Sequence, residues 1–327
     1  HYWQLEEWYM NTSKLTDMFS GTMEIREHEP MKLHTTIRIG GPADIFCTPP
    51  SIETFCALLS FCIQENIPYV ILGGGANLLV GDRGIRGVVI STELLTHYSI
   101  TAAPPDESAE PHNAIVSAEA GLSIARLAEN LAHESWSGFE FSASLPGTVG
   151  GAVYMNARCY NHEIADVLTR IHFFNPKTFA TCSIERSQHS WEYKKTPFMP
   201  GGAYESSIIL KAEFLVTQRN ESEILKEMEH YTADRIAKGH FDYPSAGSMF
   251  KNNRAFGKPT GMILDELNFR GKRIGDAMVS PKHANIFVNA GNASARDMRA
   301  LIELAQTEAL QQFGFSLEPE VVFAGEF

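Results

Sequence analysis

The sequence has 327 residues, 44% hydrophobic and 20% charged, with a formal net charge of -12 at pH 7. That length suits two or three domains, since single cores stop growing near roughly 250 residues. The acidic balance excludes general nucleic-acid binding, which depends on basic groups neutralising phosphates. The apolar stretch 67–80 is interrupted by Pro68, Gly73 to Gly75 and Asn77, so it falls short of the roughly 18 apolar residues of a membrane span. Five cysteines without a CxxC pair suggest neither a disulfide framework nor a thiolate metal site, and a reducing compartment is expected. The start, His1-Tyr2-Trp3-Gln4, has no basic n-region or apolar h-region, so a cytoplasmic location is expected.

Residues 1–30 read as a polar N-terminal extension, with the fold proper beginning near Met31. Over 51–66, Phe55, Leu58, Leu59 and Cys62 fall at helical spacing, and Pro68 stops that helix ahead of the β-rich run 69–72. Short strands are expected at 78–80 and 88–90. The proline-rich, acidic stretch 101–113 reads as an exposed connection. A second alternation follows, with a strand at 114–118 and a helix presenting Ile124, Leu127 and Leu131 on one face. A charged amphipathic helix spans 221–238. The last helix, 294–313, carries Ser294 and Asp297 as an acidic capping box, Gly314 as its stop, and Met298, Leu301, Ile302, Ala305 and Ala309 as its apolar face.

Between strands, Gly73-Gly74-Gly75-Ala76-Asn77-Leu78 lets backbone N–H groups approach an anion, because no Cβ blocks it. The loop is neither a dinucleotide GxGxxG opening a helix nor a Walker loop, and a tight hairpin turn explains it equally well by itself. A second loop, Pro146-Gly147-Thr148-Val149-Gly150-Gly151-Ala152, precedes Asn156. A pair of such loops suits a bent dinucleotide, whereas separate turns predict no pairing. The segment His34-Thr35-Thr36-Ile37-Arg38-Ile39-Gly40-Gly41 offers a third contact, with Arg38 either a ligand for phosphate or a solvated surface arginine.

These segments, taken with Gly247-Ser248-Met249-Phe250-Lys251-Asn252, resemble in content and order the UDP-N-acetylenolpyruvoylglucosamine reductase family over residues 31–323. The resemblance implies an α+β architecture: a two-subdomain FAD-binding region of the vanillyl-alcohol-oxidase type (31–95 and 96–220) and a substrate domain (221–327). The short run between Asn252 and Asp265 matches the subtype without a tyrosine-bearing insertion. The implied activity is NADPH-dependent reduction of an enolpyruvyl UDP-amino sugar in peptidoglycan precursor synthesis. FAD is expected to be non-covalent, because no histidine or cysteine stands in an attachment context. No metal is implied, and a monomer is expected. Other flavin oxidases or dehydrogenases of the superfamily, or a non-catalytic flavin or UDP-sugar binder, are the competing readings.

The resemblance makes Ser248 the proton donor and Glu320 the second catalytic residue. By itself, such a serine is more often a structural hydroxyl and such a glutamate an exposed edge carboxylate. Strand alternation over 246–252 would place Ser248, Phe250 and Asn252 on one face, and residues 317–323 read as a strand with Pro319 at its start. Where the family carries Tyr-Arg-x-Ser, this chain has Tyr193-Lys194-Lys195-Thr196. Lys194 or Lys195 would keep the charge but lose the planar fork. One helical turn apart, Arg235 and Lys238 stand where the family places a phosphate-binding lysine, and Lys238 is the choice. Asn252 and His283 are the remaining substrate candidates. Residues 158–162 depart from the family's Gly-Ala-Tyr-Gly.

Overall fold

The computed structural model describes residues 13–102 and 112–327, so residues 1–12 and most of the expected connection at 101–113 lie outside the description. In chain order come β1 (Glu24–Pro30), β2 (Pro42–Thr48), helix α1 (Ile52–Gln64), β3 (Tyr69–Leu72), β4 (Leu78–Val80), β5 (Ile85–Ser91), β6 (Tyr98–Ala102) and β7 (Asn113–Glu119). Next are α2 (Ile124–His133), β8 (Trp136–Ser137), α3 (Val149–Tyr154), β9 (Arg158–Cys159), β10 (His162–Glu163), β11 (Leu168–Asn175), β12 (Ala180–Glu185) and β13 (Ile208–Gln218). The chain ends with α4 (Glu221–Ala237), β14 (Ser245–Ser248), α5 (Thr260–Glu266), β15 (Arg273–Ile274), β16 (Ala277–Val279), β17 (Ile286–Asn289), α6 (Ala295–Phe313) and β18 (Val322–Ala324). No helix among the described residues is long and apolar enough to cross a membrane.

Two compact units result. Of the described residues, the first holds 13–26, Phe46–Gly74 and those within Val88–Thr232. Its α1 forms as the spacing predicts: Ser51 caps the N-terminus by accepting from Thr54 N, and Phe55, Leu58, Leu59, Phe61 and Cys62 are buried. Strands β3 and β5 pair in parallel from Tyr69↔Val88 to Leu72↔Ser91. An antiparallel sheet of order β12-β11-β13-β7-β6, with β8 added to β13, buries alternate residues Ala114, Val116 and Ala118 of β7 against the Ile124, Leu127 and Leu131 face of α2.

The second unit holds Glu27–Ile45, Gly75–Gly87 and Ala233–Phe327. Its antiparallel sheet β14-β17-β16-β15 and α6 share a core in which Met298, Leu301, Ile302, Ala305 and Ala309 are all buried. The Ser294–Asp297 capping box is present, and Gly314 ends the helix at φ 75. Strand β4 pairs in parallel with β18, Leu78↔Val322 to Ala324↔Val80. The loop at 73–77 therefore does not close a hairpin, since β3 and β4 have different partners.

Two strand expectations need correction. The strand expected over 246–252 ends at Ser248. Its register passes from Ser245↔Val288 to Ser248↔Ile286, three steps against two, and Gly247 at φ 78 takes up the extra residue. Met249 and Phe250 consequently both become buried, while Ser248 stays half-buried and Asn252 exposed, so the alternation fails. The strand expected over 317–323 is reduced to a single bridge, Phe250↔Pro319, before β18 begins at Val322.

Candidate active site

In the first unit the two glycine loops meet. A Cβ on Gly74 would lie 2.8 Å from Gly147 Cα, and one on Gly73 would lie 2.7 Å from Thr148 Oγ1, so neither position has room for a side chain. Among the described residues, no carbonyl accepts from the N–H groups of Gly73, Gly147 or Thr148. The remaining glycines of the second loop do different work. Gly150 N donates to Ala120 O at 2.8 Å, a Cβ there would press on Ala120 Cβ at 2.8 Å, and Gly151 N is spent on the Thr148 cap. Pro146 and Ala152 flank these contacts, with Ala152 buried. The donors and the absence of side chains fit a pyrophosphate.

Lys194 also belongs to the first unit. It occupies a left-handed turn position, φ 52, inside the Glu192↔Lys195 bridge, and its Nζ lies 5.9 Å from the Tyr193 ring centroid. Lys194 is half-buried, whereas the Lys195 side chain is 74% exposed and turned to Glu192. Asn156 is fully buried. It anchors that turn by donating to Glu192 O and accepts from Ala165 N at 3.0 Å, a structural use that its place after a glycine loop did not reveal. In the loop that departs from the family, Tyr160 and Asn161 take φ 51 and 65 between β9 and β10, and the Tyr160 ring stacks on Tyr231 at 4.2 Å. Asparagine tolerates the left-handed turn where the family has glycine.

In the second unit the chain folds Ser248 and Glu320 toward one backbone junction. Glu320 N donates to Met249 O at 2.8 Å, and Lys251 N to Glu318 O at 2.9 Å. Opposite them, buried Asn285 clamps the same segment: Met249 N donates to Asn285 O, Phe250 N to Asn285 Oδ1, and Asn285 Nδ2 to Phe250 O. The Ser248 hydroxyl makes no hydrogen bond to the described residues, so its proton is not spent internally. Sequence reasoning missed Asn285, whose only signal is a polar residue ahead of an apolar strand.

Asn77 belongs to this junction too. Its Nδ2 donates to Glu320 O at 2.9 Å and its carbonyl accepts from Val322 N. Ala76 and Leu78 flank it, and Gly75 at φ 59 leaves no space for a Cβ, which would fall 2.0 Å from His34 O. Thr36 N donates to Gly75 O, and Thr36 Oγ1 to Ser245 O at 2.7 Å. Arg38 is exposed at φ 56, its backbone held by Asn289 Nδ2. Asn252 Oδ1 accepts from Thr260 N at the start of α5.

The other candidates collect after α4. Lys238 is exposed and paired with Asp234 at 2.7 Å. His283 Nδ1 accepts from Asn285 N, and its ring lies 5.9 Å from that of His240. Burial, then the charges of Arg235, His283 and Lys238, push His240 down to about 4. Burial followed by Arg270 lowers His283 in the same sense. Both rings are thus neutral near pH 7. No metal-ligating cluster occurs among the described residues, and all five cysteines are free.

Similarity to known proteins bears on this geometry directly. Residues 43–178 match the family model of an FAD binding domain, and residues 239–324 match that of the UDP-N-acetylenolpyruvoylglucosamine reductase C-terminal domain. The reductase of Treponema denticola is 39% identical over 94% of this chain and 95% of its own. That of Agathobacter rectalis is 40% identical over 92% and 94%. The chain belongs to the UDP-N-acetylenolpyruvoylglucosamine reductase family. Among solved structures, the reductase from Thermus caldophilus superimposes with a TM-score of 0.72 at 29% identity, covering 92% of this chain and 98% of that one. This reductase family member is an FAD-dependent oxidoreductase with the expected α+β flavin-binding architecture.

Proposed function

We propose that the chain reduces UDP-N-acetyl-3-O-(1-carboxyvinyl)glucosamine to UDP-N-acetylmuramate with NADPH, using Ser248 as proton donor. The observation that carries this reading is the Glu320 N to Met249 O bond. It ties the backbone of Glu320 to Met249, the residue after Ser248, whose hydroxyl makes no hydrogen bond to the described residues. When bound, FAD supplies the hydride chemistry, and Gly73, Gly74, Gly147 and Thr148 would hold it, with Arg38 and Asn77 as further candidate contacts.

The chain's own residues supply the rest. Ser248 Oγ delivers the proton to C2 of the enolpyruvyl group, and Glu320 sustains that transfer by holding or relaying a proton. Lys194 stabilises the negative charge that develops in conjugation with the substrate carboxylate. Lys238, Asn252 and His283 face the nucleotide sugar, with His283 neutral and its Nδ1 already accepting. In this reading the protein works as a cytoplasmic monomer in the synthesis of a peptidoglycan precursor.

Steady-state NADPH oxidation is the test. The rate should depend on the enolpyruvyl sugar and yield UDP-N-acetylmuramate. NADPH consumption indifferent to that sugar would point instead to another flavin oxidoreductase, and no consumption at all to a binding protein.

A further inference from the structure

Lys194 stands in a tight turn of the first unit whose two ends are both tied to one neighbouring segment. Glu192 and Lys195 close the turn by exchanging backbone bonds, Glu192 N to Lys195 O at 3.0 Å and Lys195 N to Glu192 O at 3.2 Å. Asn156 Nδ2 donates to that same Glu192 carbonyl at 3.2 Å. Past the turn, Thr196 Oγ1 donates to Tyr154 O at 2.7 Å and accepts from Phe198 N. Asn156 is 0% exposed and Thr196 4%, so both ties are shielded from water. Tyr154 is the last residue of α3, which begins at the Thr148 cap. Segment 148–156 therefore carries part of the glycine cradle at its start and both ties at its end.

A turn that only reversed the chain would need none of this. At φ 52 Lys194 takes a conformation that favours glycine or asparagine over a residue with a long side chain. Burying an amide and a hydroxyl is costly unless their bonds are made, and here they are made to the turn and to the chain beneath it, with Asn156 Oδ1 also accepting from Ala165 N. The support selects one lysine of the two. Lys195 is 74% exposed and turned to Glu192, whereas half-buried Lys194 sits between the ties. Strain held in place by surrounding bonds is how a fold keeps one side chain at a functional position.

We propose that Asn156 and Thr196 are positioning residues for Lys194: they fix its turn to the end of α3 and so hold the ammonium in register with the glycine cradle at the start of the same helix. The proposal rests on the reductase reading above, in which Lys194 stabilises negative charge on the substrate. Both side chains act through the lysine. A small displacement of its turn weakens charge stabilisation in the step that needs it, reduction of the enolpyruvyl group. Flavin reduction by NADPH builds no charge on that carboxylate and is indifferent to the displacement.

The experiment uses the FAD-loaded protein. Asn156→Ala and Thr196→Val each remove one tie, and Thr196→Ser keeps the hydroxyl. Rapid mixing should show reoxidation by the enolpyruvyl sugar slowed roughly 5- to 30-fold in the first two, the scale of a lost buried hydrogen bond. Thr196→Ser should stay close to wild type, and reduction by NADPH should be unchanged in all three. In a Lys194→Met background the same substitutions should slow reoxidation no further, because nothing is left to position. Effects that multiply with that of Lys194→Met, or that fall equally on both half-reactions, overturn the proposal. If Asn156→Ala does not fold, the two Thr196 variants decide on the same criteria. A second readout needs no turnover: acetylation of lysine amines by an N-hydroxysuccinimide ester, mapped by mass spectrometry. Loss of a tie should raise labelling of Lys194 severalfold against that of exposed Lys177, and an unchanged ratio in both variants counts equally against the proposal. A wild type that does not reduce the sugar, or a Lys194→Met protein that reoxidises at the wild-type rate, sinks the role given to the lysine, and the labelling ratio then decides by itself whether the two side chains hold its turn.

Discussion

Around Gly73, Gly74 and Gly147 the backbone has no room for side chains and carries unspent N–H groups, whereas around Ser248 it is engaged at almost every atom. Met249, Phe250 and Lys251 each donate to a named acceptor, and Asn285 accepts two of those bonds and donates a third to Phe250 O. The first region keeps donors open for an anion. The second fixes the chain so that the Ser248 hydroxyl, without a hydrogen bond among the described residues, is held at a set position. Substitutions should therefore fail in different currencies, cofactor retention in the cradle and reaction rate at the clamp.

The largest effect is expected at the clamp. Ser248→Ala leaves every bond of Met249 and Phe250 intact, so the variant should fold and hold FAD normally. Its flavin should still be reduced by NADPH at a near-normal rate, because that half-reaction needs no proton at C2. Reoxidation by the enolpyruvyl sugar should slow at least about a hundredfold, and Glu320→Gln should change it in the same direction. Rapid mixing of each half-reaction separates the two rates. Equal slowing of both, or of neither, would show that Ser248 is not the donor.

A smaller effect is expected in the cradle. The Cβ of Gly74→Val would meet the Gly147 backbone at 2.8 Å, and overpacking of that kind costs about 1–3 kcal/mol. Flavin affinity should fall roughly 5- to 150-fold, read as the FAD retained after dialysis, while the protein that keeps its flavin should show the wild-type ratio of half-reactions. Gly21→Ala, with nothing within 4 Å, is the matched control. A Gly74→Val protein with full flavin content would remove the cradle assignment.

How legible each region was follows from the same contrast. The last helix could be read completely, since Ser294, Asp297, Gly314 and the apolar face all obey local rules. The glycine loops could be read as a pair, because a missing side chain is visible in sequence, although Gly150 and Gly151 spend their N–H groups inside the protein. Ser248 was found by motif, but its surroundings were not. Period-2 alternation carries no sign of the extra residue that Gly247 absorbs, and nothing local says that Asn285 will clamp a distant strand end. Arg235 and Lys238 have the same helical spacing, and only burial separates them.

The smallest expected effect concerns the two histidines. His240 falls from an ordinary 6.5 to about 4, with burial as the largest cause, so the unfolded chain binds a proton there that the folded protein refuses. Stability contributed by the neutral ring is present above about pH 6.5 and is lost as pH falls toward 4. Because His240 is only partly buried, solvent reduces the effect to on the order of 1 kcal/mol. His240→Gln keeps a polar group of similar reach without the titration. Denaturant unfolding at about pH 7 and about pH 5 should show the wild type losing more stability than His240→Gln across that interval. The comparison between proteins cancels the Lys238–Asp234 and Lys282–Asp242 pairs, which both retain, and His283, which titrates in the same sense in each. Parallel losses in the two proteins would mean that His240 is solvated in the folded state and that the cationic field of Arg235 does not reach it.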